Sequence, residues 1–183
     1  MIGIIGQGFV GNAVFKKFKN FYEVLTYDLD KDKCNSDIEE IVFKCDTIFV
    51  CLPTPMSKDG SCDISIIDQT LSSIDLITDN LETTKTVVLK STIPPGTTKK
   101  LNNKFQSLNI VFNPEFLTER NAVKDYDNQK RIILGGPRPA TTELKTIFSK
   151  VFPKAHIIKT DSSHAEMVKY FTNTFLATKV SFA

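Results

Sequence analysis

Met1-Ile2-Gly3-Ile4-Ile5-Gly6-Gln7-Gly8-Phe9-Val10-Gly11 opens the chain, and its reading decides the fold. Ile2–Ile5 is a short, continuous apolar run of the kind buried on both faces of a parallel sheet. It stops at Gly6-Gln7-Gly8-Phe9-Val10-Gly11, a G-x-G-x-x-G pattern, after which Val10, Val14 and Phe18 recur at helical spacing. Alone, that pattern is weak; between a strand and a helix it has a physical logic. Gly6 permits the tight turn, Gly8 lets backbone approach a pyrophosphate, and Gly11 lets the helix pack closely on the sheet. Gln7, Phe9 and Val10 complete a loop whose free N–H groups and helix dipole suit phosphate oxygens. Asp28 follows Gly6 by 22 residues, at the end of the next β-rich run, Glu23–Tyr27. A carboxylate there accepts hydrogen bonds from a ribose diol and repels a 2′-phosphate, so the expected cofactor is NAD rather than NADP. Outside this context Asp28 would read only as a strand-end residue in the turn Asp28-Leu29-Asp30.

Beyond the loop, β-rich runs alternate with amphipathic stretches, the order produced by parallel strands and crossover helices. Strands are predicted at Ile2–Ile5, Glu23–Tyr27, Thr47–Leu52, Thr86–Lys90, Asn109–Phe112, Arg131–Leu134 and His156–Lys159. Helices are predicted near Val10–Lys19, Ile38–Cys45, Ile64–Thr78, Thr97–Phe105 and Thr141–Phe152. The expected fold is therefore α/β, a Rossmann-type doubly wound and mostly parallel sheet. A last, long C-terminal helix is expected from Ser162-Ser163 through Met167, Phe171, Phe175 and Phe182, with no stop signal before Ala183. The division expected is a dinucleotide-binding domain over residues 1–161 and the start of a connecting helix over 162–183, whose aromatics continue into more chain or pack on a second one.

The 183 residues suffice for one domain with a full core. A net charge of +2 gives no electrostatic case for nucleic acid or a membrane surface. No apolar run approaches the roughly 20 residues of a membrane span. The first residues read as a buried strand rather than a signal peptide. Cys34, Cys45, Cys51 and Cys62 have no zinc-like spacing, and His156 and His164 lie far from them, so no metal site is expected. Free thiols fit a cytoplasmic location.

Five further segments, in order, resemble motifs of the UDP-glucose/GDP-mannose dehydrogenase family. Cys51-Leu52-Pro53-Thr54-Pro55 is similar to its V-P-T-P turn, and Asp59-Gly60-Ser61-Cys62-Asp63-Ile64-Ser65 to the following D-G…D-L-S stretch. Ser91-Thr92-Ile93-Pro94-Pro95-Gly96-Thr97-Thr98 resembles S-T-[VI]-P-x-G-T-T, and Asn113-Pro114-Glu115-Phe116-Leu117-Thr118-Glu119 resembles N/S-P-E-F-L-x-E. Ala165-Glu166-Met167-Val168-Lys169 with Asn173 is similar to A-E-x-x-K-x-x-x-N. Thr54, Thr92 and Glu115 each follow a predicted strand, which places them on the rim where ligands of open parallel sheets bind. Lys169 and Asn173 are four apart on one helix and share a face.

The resemblance implies a nucleotide-sugar 6-dehydrogenase, with UDP-glucose as the expected substrate, oxidising a sugar hydroxymethyl to a carboxylate with two NAD and an enzyme-bound thioester. It implies that Thr92 and Glu119 contact the nicotinamide side and position a water. Glu115 would orient the sugar or a catalytic water, and Lys169 and Asn173 would bind the reacting oxygen as alkoxide character develops. Thr54 belongs to the cofactor rim, and Lys33 matches a position near the adenosine. A homodimer through the long helix is also implied. Three departures stand out. The family's nucleophilic cysteine, in F-G-G-x-C-x-P-K-D, has no counterpart among these residues. An insertion with an E-P-G-L-like segment is lacking between Lys33 and Asp46, and Arg120 replaces a commonly small residue. The chain alone is therefore expected to bind NAD and to turn over nucleotide sugars poorly or not at all. Two other readings share the glycine loop, a β-hydroxyacid dehydrogenase and a non-catalytic NAD-binding module.

Overall fold

The computed structural model describes residues 1–183, and its seven strands form one sheet in the order β2-β1-β3-β4-β5-β6-β7. The strands are β1 Ile2–Ile5, β2 Val24–Tyr27, β3 Thr47–Val50, β4 Lys85–Leu89, β5 Leu108–Phe112, β6 Arg131–Gly135 and β7 His156–Thr160. All seven lie where the apolar runs predict them. The continuous runs are the central strands: every residue of β1, β3 and β4 is buried. The edge strand β7 is exposed or half-buried along its length, as a strand with one neighbour must be.

β1 to β5 are parallel in register, with β1 between β2 and β3. The chain therefore winds outward from β1 in both directions, and the crevice of such a sheet opens at the carboxyl ends of β1 and β3. β6 runs antiparallel to β5 and meets it at a single pair, Phe112 with Gly135. This register carries the rest of β6 past the end of β5, so β6 and its parallel partner β7 overhang the rim where β5 stops.

The connections are α1 Phe9–Phe18, α2 Ile38–Lys44, α3 Ser65–Asn80, α4 Thr97–Lys104, α5 Ala122–Asp127, α6 Arg138–Val151 and α7 Ser162–Phe182. One face of the sheet packs against α1, α5 and α6. Its centre is aromatic, with Phe18 edge-on to Phe49 at 5.0 Å and to Phe148 at 5.7 Å between ring centroids. The other face packs Ile41, Ile67, Leu71, Ile74 and Leu101 from α2, α3 and α4 against Ile48, Val87 and Ile110. Helices of the chain cover both faces of the sheet.

Four elements depart from the sequence reading. α5 and two single 3₁₀ turns, Lys31–Lys33 and Glu119–Asn121, occupy stretches expected to be loop. α5 has only six residues and Asn121 offers no side-chain cap, so neither periodicity nor a start signal marks it. α6 begins three residues before the predicted Thr141, with Pro139 in its first turn where a missing N–H costs nothing.

Candidate active site

The glycine loop leaves β1 with Gly6 at φ 92°, a conformation that strains any other residue. Gly11 then sits in the first turn of α1 against that bend. A Cβ built on it would lie 1.8 Å from the Gly6 carbonyl oxygen, so the loop closes only around a bare α-carbon. Gly8 is the opposite case: nothing stands within 4 Å of the position its Cβ would take. The backbone is open to a ligand at Gly8 and sealed against the sheet at Gly11, and the free N–H groups of α1 face that opening. This is the shape a diphosphate requires.

Asp28 closes the loop from β2. Its carboxylate accepts the Gln7 N–H at 2.5 Å and the Asp30 N–H at 2.9 Å, so the acid is fixed to the glycine loop itself. Asp28, Leu29 and Lys33 line the same cleft as Gly6, Gly8, Phe9 and Val10. Lys33 ends a 3₁₀ turn capped by Asp30, and its ammonium pairs with Asp30 at 2.9 Å. The short link between β2 and α2 thus turns Lys33 back toward the strand end. Gln7 is buried, and its side-chain Nε2 has no partner.

From Asp28 the cleft, about 800 Å³, runs across the ends of β1, β3 and β4 to Thr54, Thr92 and Glu115. That volume and its extent suit a dinucleotide laid along the sheet rim. Two hydroxyls splice the strand ends on which the far end is built. Ser91 Oγ donates to the Leu52 carbonyl at 2.5 Å and accepts the Leu52 N–H at 3.1 Å, while Thr54 Oγ1 donates to the Thr92 carbonyl at 2.8 Å. Lys169 reaches in from α7, donating to the Glu115 carbonyl at 2.6 Å and to its carboxylate at 2.8 Å. Both side chains of this pair are almost fully buried, at 6% and 10% exposure. Residues 54 positions apart meet because β6 and β7 overhang the rim and deliver α7 above the end of β5.

Of the site residues read from sequence, the structure brings Gly6, Gly8, Phe9, Val10, Asp28, Lys33, Thr54, Thr92 and Glu115 to one cleft wall, with Lys169 bonded to Glu115. Glu119 and Asn173 are not brought there: both are exposed and neither lines the cleft. Asn173 shares a helix face with Lys169, but α7 outruns the sheet after its first two turns, and from Phe171 onward the helix is almost wholly solvent-facing.

Three buried residues escaped the sequence reading as parts of the site. Lys90, at the end of β4, lines the cleft with its ammonium donating to Asn113 Oδ1 at 2.8 Å, and Asn113 Nδ2 in turn donates to the Ile133 carbonyl at 2.7 Å. This chain ties β4, β5 and β6 together, reinforcing the β5–β6 junction where the backbone ladder offers one pair. Glu166, in α7, is fully buried and accepts the Gly96 N–H at 2.6 Å and the Thr98 N–H at 2.7 Å, capping α4 from outside it. All four thiols are unpaired. Burial pushes Cys51 up to about 12 and Cys45 up to about 11, so neither is a ready nucleophile. No helix is long and apolar enough to cross a membrane.

Residues 23–155 match the model of the UDP-glucose/GDP-mannose dehydrogenase family, NAD binding domain. Among curated proteins, the chain is 30% identical over 221 residues to UDP-glucose 6-dehydrogenase TuaD of Bacillus subtilis, covering 99% of this chain and 47% of that protein. It is 32% identical over 214 residues to UDP-glucose 6-dehydrogenase of Campylobacter jejuni, covering 99% and 53%. Both alignments are longer than the 183 residues of this chain, so the relatives carry inserts that it lacks. Among solved structures it superimposes on a UDP-glucose dehydrogenase from Pyrobaculum islandicum with a TM-score of 0.89 at 25% identity, covering 99% of this chain and 50% of that one. A GDP-mannose dehydrogenase from Pseudomonas aeruginosa gives 0.86 at 26%, covering 99% and 51%. The chain thus spans about half the length of the relatives it matches. The family match favours the sugar enzymes over the β-hydroxyacid dehydrogenases that share the glycine loop. Its strand order, its glycine loop locked to Asp28 and this family match agree: the chain belongs to the UDP-glucose/GDP-mannose dehydrogenase family, as an NAD-binding domain.

Proposed function

We propose that this chain is the cofactor half of a nucleotide-sugar 6-dehydrogenase acting on UDP-glucose, with residues 1–161 as the NAD-binding domain and 162–183 as the start of a connecting helix. The observation that carries the reading is the buried Lys169–Glu115 pair at the far end of the cleft from Asp28. Bound NAD supplies a hydride acceptor at that end. The chain's own residues do the rest. The α1 N-terminus and Gly8 seat the diphosphate, Asp28 takes the adenosine diol, Lys33 stands beside it, and Thr54 and Thr92 shape the nicotinamide end. Lys169, already stripped of water, offers its ammonium to a sugar oxygen as negative charge develops there, and Glu115 holds that ammonium in place and orients the hydroxymethyl or a water. Glu119 and Asn173 join the site only if the loop after Glu115 and the exposed part of α7 are drawn in when substrate and further chain close over the rim.

We assign the exposed apolar face of α7, with Phe171, Phe175 and Phe182, to a homodimer contact. The four unpaired thiols fit a cytoplasmic protein. The second oxidation needs a thiol nucleophile that Cys51 and Cys45 do not provide. The test is spectrophotometric. Incubated with NAD and UDP-glucose, the chain is expected to bind NAD yet release no more than trace NADH, and to gain turnover when expressed with a cysteine-bearing C-terminal half of a relative. Robust NADH production by the 183 residues alone refutes the division of labour, and no NAD binding at all refutes the reading.

A further inference from the structure

Lys90 is a buried cation with no carboxylate of its own. It is 3% exposed and lines the nicotinamide end of the cleft beside Cys51, Ser91 and Thr92. Its hydrogen-bond acceptor is the neutral Asn113 Oδ1, and its ammonium stands 5.5 Å from the centroid of the Tyr126 ring. Glu115, the acid on the same wall, is taken by Lys169 at 2.8 Å. A stability argument alone does not explain this arrangement, because an unpaired ammonium in the interior is costly. The same tie between β4 and β5 needs only a neutral donor.

We propose that Lys90 sets the preference of the cleft between the oxidised and reduced dinucleotide: its ammonium disfavours the cationic nicotinamide ring of NAD⁺ and leaves the neutral ring of NADH unopposed. The inference rests on the reading of the cleft as a dinucleotide site. The two ligands differ at the ring by one charge and one hydride, so a fixed cation beside the ring acts on the difference between them and little else. In a cleft walled by protein that effect is weakly screened. The charged groups facing Lys90 are Glu115, from the segment after β5, and Lys169, from α7, which offset one another. Cys51, after β3, and Tyr126, on α5, are both held neutral by burial. Burial likewise pushes Lys90 down to about 8, opposed by the Glu115 carboxylate and assisted by the Lys169 ammonium. The preference is therefore adjustable near neutral pH.

Calorimetric titration of the chain with NAD⁺ and with NADH from pH 6.5 to 9.5 tests this. The ratio of the NAD⁺ Kd to the NADH Kd is expected to fall at least tenfold across the range, the size reached by unit charges within about 12 Å of one another at an effective dielectric near 20. Lys90→Met should hold the ratio flat at its high-pH value, and Lys90→Arg should hold it flat at its low-pH value. The second variant decides the matter if the first does not fold. A flat ratio in the unmodified chain, or a slope that survives in either variant, overturns the role of Lys90 while leaving the dinucleotide site intact. Failure of both nucleotides to bind any form overturns both.

Discussion

Gly8 and Gly11 stand three residues apart in one loop, and the structure predicts opposite consequences for the same added methyl group. In Gly11→Ala the new Cβ lies 1.8 Å from the Gly6 carbonyl oxygen and 2.9 Å from its carbon, both backbone atoms that no rotamer can move aside. Overpacking of side chains costs about 1–3 kcal/mol, and a backbone collision belongs at or above the upper end. For a chain of this size 1 kcal/mol moves Tm by roughly 2–4 °C, so Gly11→Ala should melt about 6–12 °C lower. In Gly8→Ala nothing lies within 4 Å of the methyl and φ is −64°, within ordinary alanine space, so Tm should move by no more than about 2 °C. That same methyl fills the space a diphosphate needs, and NAD affinity should fall at least tenfold, or about 1.4 kcal/mol. Differential scanning calorimetry and NAD titration on both variants complete the comparison. A Gly8→Ala protein that binds NAD like its parent would show that the phosphates do not rest on this loop.

Other substitutions probe the remaining walls. Asp28→Asn should weaken NAD binding about tenfold and narrow the margin over NADP, read from paired titrations. Glu166→Ala strands two buried N–H groups at the start of α4 and should cost about 2–4 kcal/mol in urea unfolding, with Glu166→Gln recovering part of it. Lys169→Met leaves Glu115 as an uncompensated buried carboxylate and should cost about 3 kcal/mol, whereas adding Glu115→Gln should recover much of that, so the pair is far from additive in a double-mutant cycle. For Lys90, burial lowers the folded-state pKa to about 8 from 10.5, so between those values the unfolded chain holds more protons than the folded one. Stability linked to this group therefore rises with pH through that window, and its cost, about 3 kcal/mol, is fully present below pH 8. Lys90→Met should consequently melt higher than the parent at pH 7 and lose that advantage by about pH 10.5, which thermal melts across pH will show.

The parts legible in the sequence are those whose signal is local. β1, the glycine loop and the start of α1 are contiguous, and Gly11 answers to Gly6 within the same loop. The strands were readable because parallel strands buried on both faces are unbroken apolar runs, and even the edge strand β7 kept two isoleucines. What stayed hidden depends on distant partners. Nothing near Glu166 announces that its acceptors' donors are Gly96 and Thr98, and nothing near Lys90 points to Asn113. Both residues are buried against these distant partners, and the single antiparallel pair that joins β6 to β5 is likewise encoded by no pattern. Asn173 shows the converse. Helical spacing correctly put it on the face of Lys169, but the length of sheet beneath α7 decides which turns of that face are covered.

A crystal structure of the chain with NAD tests the central claim most directly. The account places the diphosphate over Gly8 at the amino end of α1, the adenosine hydroxyls within hydrogen-bond reach of the Asp28 carboxylate, and the nicotinamide between Thr92 and the Glu115–Lys169 pair. A dinucleotide bound elsewhere, or lying in the cleft with its adenosine at Thr92 and its nicotinamide at Asp28, would contradict it.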